Sequence, residues 1–168
     1  DFATANAEPR AGVAAVDGTT GATLPAVFYG ATVTLGLDVS PDGSTLYGAT
    51  GSEGDFGNSA VAWDVTDGDR SWQVMADGDV QAVRYDSGVV YTGFHDGYLS
   101  NPQVKLLAVD AATGAVLPGF QPAMGGFWGV YSLTVAGDVL VAGGSFQAVA
   151  GVGDAGYAVF RPPVPHPQ

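Results

Sequence analysis

The feature that most constrains this chain is self-similarity at a period of 46 to 50 residues. Ala15-Val16-Asp17-Gly18-Thr19-Thr20-Gly21 returns as Ala62-Trp63-Asp64-Val65-Thr66-Asp67-Gly68 and again as Ala108-Val109-Asp110-Ala111-Ala112-Thr113-Gly114, which places the aspartates 47 and 46 residues apart. A fixed period of this size marks a repeat architecture, in which no unit buries its apolar face alone. A fourth copy, Ala158-Val159-Phe160, follows 50 residues after Asp110 without the aspartate or the glycine, and Pro162, Pro163, Pro165 and Pro167 come next. The last repeat is therefore expected to run into a proline-rich tail or linker over 162–168.

A second motif recurs between those copies. Leu37-Asp38-Val39-Ser40-Pro41-Asp42-Gly43-Ser44-Thr45-Leu46-Tyr47 aligns with Val83-Arg84-Tyr85-Asp86-Ser87-Gly88-Val89-Val90-Tyr91 and with Leu133-Thr134-Val135-Ala136-Gly137-Asp138-Val139-Leu140-Val141. Each reads as a β-hairpin. Alternation sends Leu35, Leu37 and Val39 to one face and Thr34, Gly36 and Asp38 to the other, and the intervening Pro, Asp, Ser and Gly supply the dihedrals of a tight reversal. Ala49, Gly93 and Gly143 follow the second arms, where another backbone is expected to come close. A hairpin, a strand ending in Ala-Val-Asp and a short outer strand near Leu117 or Ser71-Trp72-Gln73-Val74 make four strands per unit, the content of a propeller blade. With 26 glycines and 10 prolines in 168 residues, helical repeats are disfavoured.

The expected fold is all-β, a β-propeller of about three and a half four-stranded blades, with units near 1–32, 33–78, 79–128 and 129–161. Residues 1–17 align with 145–160, so the chain enters mid-blade. Closed propellers take four to eight blades, and fewer leave open edges that invite pairing. The chain, which begins at Asp1 as an excised or processed piece would, is expected to be one portion of a larger propeller or to close against another chain.

Charge removes some partners. Seventeen acidic residues against five basic ones give a net charge of −12, which repels nucleic acid and anionic lipid surfaces. No apolar run is long enough to insert in a membrane, and without cysteine there is no disulfide framework or thiolate metal site.

Few residues invite a chemical reading. Asp17, Asp64 and Asp110 recur in every full unit, so turn-shaping is the simpler account of them than a functional rim. Asp64, Asp67 and Asp69 form the densest acidic turn and are the calcium candidates, although Asp69 and Met75 stand where an EF-hand needs glycine and glutamate. The connections 51–58, 94–102 and 144–155 occupy one position in the unit and should cluster on one face, where a ligand would sit. Glu53, His95 and Asp96 in them are the candidates for general-base or divalent-metal work; His95 and Asp96 share a site only if the chain turns between them. Phe127 and Trp128 head the aromatic concentration of the chain, with core packing between blades as the simpler account and a stacking surface for sugar or peptide as the other. With Phe56, Phe94, His95 and Tyr98 they make up a candidate binding rim. No Gly-x-Ser-x-Gly elbow is present, and the glycine pairs Gly125-Gly126 and Gly143-Gly144 precede no expected helix that could hold a phosphate.

The Gly-Gly-Ser-Phe start, Leu106 onward as Leu-Leu-Ala-Val-Asp-Ala-Ala-Thr-Gly-Ala-Val-Leu-Pro-Gly-Phe, and Val130-Tyr131-Ser132-Leu133-Thr134-Val135-Ala136-Gly137-Asp138 resemble the delta-sixty repeat propellers of bacterial secreted and surface proteins. That resemblance covers nearly the whole chain, is strongest at 104–150 and 1–25, and implies an extracellular or cell-surface setting with no catalytic motif to carry over. The quinoprotein dehydrogenases share the Asp-x-x-Thr-Gly signature, and Trp72 falls near their docking tryptophan; Pro25 and Pro118 replace it in the other copies and no cysteine pair is present, so a quinone cofactor is not expected. The function expected is a non-catalytic extracytoplasmic module for binding or scaffolding, with a protein or carbohydrate ligand and no cofactor unless calcium. The alternative is a metal-assisted, lactonase-like hydrolase using Glu53, His95 and Asp96.

Overall fold

A computed structural model describes residues 2–31, 33–52, 56–153 and 156–161. The chain opens on a small hairpin, β1 (Thr4–Ala5) and β2 (Glu8–Pro9). Next come β3 (Val33–Val39), β4 (Thr45–Gly51), β5 (Ser59–Asp64) and β6 (Arg70–Met75), one antiparallel sheet in sequence order. A second sheet holds β7 (Val80–Asp86), β8 (Val89–Phe94) and β9 (Leu106–Asp110). After β10 (Met124–Gly125) the third sheet begins with β11 (Gly129–Ala136) and β12 (Val139–Ser145). The hairpin β13 (Ala148–Val149) and β14 (Val152–Gly153) pairs with β10, and β15 (Tyr157–Phe160) completes the third sheet against β12. Every one of the described strands pairs antiparallel, and there is no helix among the described residues.

The three expected hairpins are β3–β4, β7–β8 and β11–β12, and each carries a bulge at the same place, at Leu35, Gln81 and Tyr131. The fourth strand departs from the expectation. It is full only as β6; near Leu117 a single bridge, Val109 to Val116, takes its place, as Val16 to Thr23 does in the first copy. Pro118 and Pro25 stand where β6 has Trp72, and proline has no N–H with which to extend a ladder. The alignment of the two chain ends holds: β1–β2 repeats β13–β14, down to paired positive φ angles at Asn6 and Ala7 and at Ala150 and Gly151.

Period-two alternation gives each sheet two faces, and the sheets stack face to face. Tyr47, Ala49, Ala60, Ala62 and Trp72 of the first sheet bury against Val83, Val90, Leu107 and Val109 of the second. Val89, Tyr91, Leu106 and Ala108 on the second sheet's other face bury against Leu140, Ala142 and Ala158 of the third. The N-terminal segment covers part of the first sheet's remaining face, where Val13, Ala26, Phe28 and Ala31 surround Val61 and Trp63. Leu37 and Val39, on that same face of β3, stay 49% and 48% exposed, whereas the bulge breaks the expected alternation and turns the Leu35 side chain toward Gly51 and Asp79, on the face that meets the second sheet. At the opposite end Tyr157 and Val159 are exposed on the outward face of the third sheet.

Candidate functional site

His95 follows the last residue of β8, where the strand gives way to a turn. Asp96 takes a φ of 59° and Gly97 N–H donates to the His95 carbonyl at 2.7 Å, so the chain reverses and brings the two side chains together. His95 Nδ1 lies 3.5 Å from Asp96 Oδ2, and Nε2 lies 3.7 Å from Oδ2 of Asp79, which sequence reasoning had not singled out. Asp79 ties this turn to the 51–58 connection, because its Oδ1 accepts from Ser52 N–H at 2.8 Å. The 51–58 and 94–102 connections do therefore meet on one face, through the β6–β7 link. Glu53 lies outside the described residues. Among those described, no group of three His, Asp or Glu side chains has the arrangement of a metal site.

The Phe127-Trp128 loop, which leads from β10 into β11 of the third sheet, closes over His95. Phe127 stacks on the imidazole at 5.8 Å and 19° between planes, and Trp128 stands edge-on to both rings. The Gln81 amide nitrogen, re-aimed by the β7 bulge, donates to the Trp128 and Val130 carbonyls at 3.0 and 3.2 Å and so fixes the loop from the second sheet. Core packing was the simpler expectation for these aromatics, and it fails: Phe127 is 58% and Trp128 51% exposed. The alternating pattern that buries Val130 starts only after Gly129, whose left-handed φ of 67° turns the preceding pair out of the sheet. Phe94 corrects the rim in the other direction. It is fully buried and packs on half-buried Tyr98 at 6.5 Å, so it supports the rim from inside. Phe56 lies under the Arg70 guanidinium, 4.7 Å from its ring centroid.

Lys105 is the second residue the sequence did not flag. It is 1% exposed and lies beneath Gly129, whose added methyl would meet Lys105 Cδ at 2.8 Å. Burial lowers its pKa, and the Asp96 carboxylate opposes that shift.

No family model matches this chain, and no curated protein does. Solved structures do. It superposes on Kuenenia stuttgartiensis hydrazine synthase with a TM-score of 0.58 at 13% identity, over 77% of this chain and 34% of that one. It also superposes on U3-55K (TM-score 0.59, 16% identity, 88% of this chain and 44% of that one) and on the WD40 repeats of RRP9 (0.53, 14%, 79% and 38%). The fold is that of a β-propeller. The chain spans between a third and just under half the length of these structures.

As propeller blades, the three sheets are joined by their recurring turns. Asp110 Oδ1 accepts from Ala112 N–H, Thr113 N–H and the Thr113 hydroxyl at 3.1, 2.8 and 2.7 Å, and Asp17 makes the same three bonds to Thr19 and Thr20. The Thr20 hydroxyl above all, then the two N–H groups, hold the Asp17 carboxyl below its ordinary range. In the calcium-candidate copy Asp64 accepts from Thr66 N–H at 2.6 Å and Asp67 from Asp69 N–H at 2.9 Å. Each turn ends at a left-handed glycine, and at Gly114 that glycine also lets the preceding blade approach: Trp72 of the first blade lies on it and donates from Nε1 to the Ala111 carbonyl at 2.9 Å. Asp110→Ala should therefore cost about 1–2 kcal/mol, read as a lower denaturation midpoint with an unchanged m-value.

A cleft of about 550 Å³ opens between the first two blades at the hairpin-turn end, lined by Ser40, Asp42, Ser44, Tyr47, Tyr85 and Asp110. Its carboxylates are engaged in turns. The Ser40 hydroxyl, then the Ser44 N–H and hydroxyl, bring Asp42 down to about 2.

Proposed function

We propose that this chain is a non-catalytic binding and scaffolding portion of an extracytoplasmic propeller of the delta-sixty repeat type, working in a larger secreted or surface protein. The observation that carries the reading is the Phe127-Trp128 pair. Large aromatics held rigidly in the open, beside polar groups, are what a partner's recognition surface requires, since they offer contact area at low entropic cost. The likeness to WD40 repeats supports a protein as the partner class. Further blades of the same protein, or another chain, would cover Leu37 and Val39 at one end and Tyr157 and Val159 at the other. The reading needs no cofactor, and calorimetric titration with calcium tests the Asp64–Asp69 turn directly.

Peptide and glycan arrays probed with the labelled chain test the rim. The double variant Phe127→Ala with Trp128→Ala, both at exposed positions, should leave the circular dichroism spectrum and melting curve unchanged and reduce peptide signals at least tenfold. Undiminished peptide binding by the double variant removes the rim from the function. Signals confined to glycans would make the ligand a carbohydrate.

A further inference from the structure

The rim around His95 holds two features that do not satisfy each other. One is the open aromatic surface of Phe127 and Trp128. The other is an excess of carboxylate: Asp79 and Asp96 flank the imidazole with side chains 38% and 39% exposed, and Asp77, in the same β6–β7 link, accepts from Ser100 N–H at 2.8 Å. The cation set against these acids is Lys105, enclosed beneath Gly129 and drawn by Asp96. Three carboxylates against one enclosed ammonium leave the rim negative, and neither neighbouring imidazole nitrogen comes closer than 3.5 Å to a carboxylate oxygen. Nδ1 is buried without a hydrogen-bond partner.

A group that suits both surfaces must be flat enough to lie on an aromatic ring and cationic enough to bond carboxylates. A guanidinium does both, because it is planar, weakly hydrated and presents forked donors. The chain already uses this chemistry within itself, where Arg70 covers Phe56. Its other arginines with described contacts are engaged elsewhere: Arg10 donates to the Pro9 and Leu24 carbonyls, and Arg84 lies 3.6 Å from Asp38. The chain's net charge of −12 draws a basic segment toward any face, and the rim gives it a place to stop.

We infer that Asp79, Asp96, His95, Phe127 and Trp128 form a receptor for an arginine side chain carried on an extended segment of a partner protein. This rests on the protein-binding reading above and narrows it to basic peptides. A ligand of this kind supplies the cation that the rim lacks and stacks its guanidinium plane on the exposed rings.

The experiment is a fluorescence-anisotropy titration of the whole chain with a labelled nine-residue peptide carrying two arginines in a Gly/Ser background. Matched peptides replace the arginines by lysine or by uncharged citrulline, and cellohexaose serves as the sugar probe. The arginine peptide should bind several-fold tighter than the lysine peptide and at least tenfold tighter than the citrulline one. Trp128→Ala and Asp96→Asn should each weaken it at least fivefold, whereas Asp67→Asn, the same charge change on a distant turn, should not. Equal binding of arginine and citrulline peptides overturns the inference, as does an equal loss in Asp67→Asn, which would mean attraction to overall charge. Trp128-dependent binding of cellohexaose in place of the arginine peptide overturns it as well. If the array finds Trp128-dependent peptides with no preference for arginine, the inference falls and the protein-binding rim stands; if no peptide depends on the rim, both fall.

Discussion

Trp63→Ala should melt the chain roughly 6–20 °C lower, the largest loss of any single truncation, corresponding to about 3–5 kcal/mol. Trp63 is fully buried and is the centre of the core that ties the N-terminal segment to the first blade. Its ring meets Phe28 edge-on at 6.1 Å, lies against Gly48 and donates from Nε1 to the Tyr29 carbonyl at 2.9 Å. Truncation leaves a large cavity and removes the hydrogen bond to the Tyr29 carbonyl, and both costs add. Trp63→Phe fills most of the volume without restoring that hydrogen bond, so it should recover more than half of the loss. Thermal unfolding followed by circular dichroism reads both. A change under about 1 kcal/mol in the alanine variant would mean that residues 2–31 do not pack on the first blade.

Gly129→Ala should be nearly as damaging, at about 2–3 kcal/mol or more. Its φ of 67° disfavours any L side chain, and a methyl there would run into the Phe94 carbonyl and come within 2.8 Å of Lys105 Cδ. Two blades meet at this point, so the strain cannot be relieved by moving one of them. The substitution should also release the Phe127-Trp128 loop, which distinguishes it from an ordinary destabilised variant: tryptophan fluorescence should shift to the red below the melting temperature. Gly137→Ala offers the contrast. Its φ is also positive, at 60°, but nothing stands within 4 Å of the added carbon, so only the backbone term applies. Equal stability of the Gly129→Ala and Gly137→Ala variants would contradict the close approach of the blades.

The propeller was legible because its marks are local and repeated. Asp-x-x-Thr-Gly, with Asp67 in place of the threonine in the middle copy, fixes a turn through bonds within five residues, and three copies at one spacing leave little freedom in how the strands are ordered. What escaped was set by long-range pairing. Asp79 and Lys105 carry no motif, and they acquire meaning only because β7 and the residue before β9 pair with the end of β8, which sets Asp79 beside His95 and Lys105 beside Phe94. Phe127 and Trp128 continue an apolar stretch and so read as core, until the positive φ at Gly129 turns them outward. Phe94 was misplaced for the converse reason: it is the last residue of β8 and shares its burial, although a rim loop starts one residue later. The shortened outer strands were foreseeable from Pro25 and Pro118, whose missing N–H groups are visible in the sequence.

The indole-to-carbonyl bond from Trp72 to Ala111 has a consequence for how such a chain comes apart. Each blade holds only its neighbours, so stability propagates along the stack as a sum of adjoining interfaces, and no single centre governs it. The second blade is gripped on both faces and the outer two on fewer, which makes unfolding a fraying from the ends inward. The same nearest-neighbour grip allows blades to be gained or lost by duplication without redesign, since a new unit needs only the turn that receives its predecessor and the face that meets its successor.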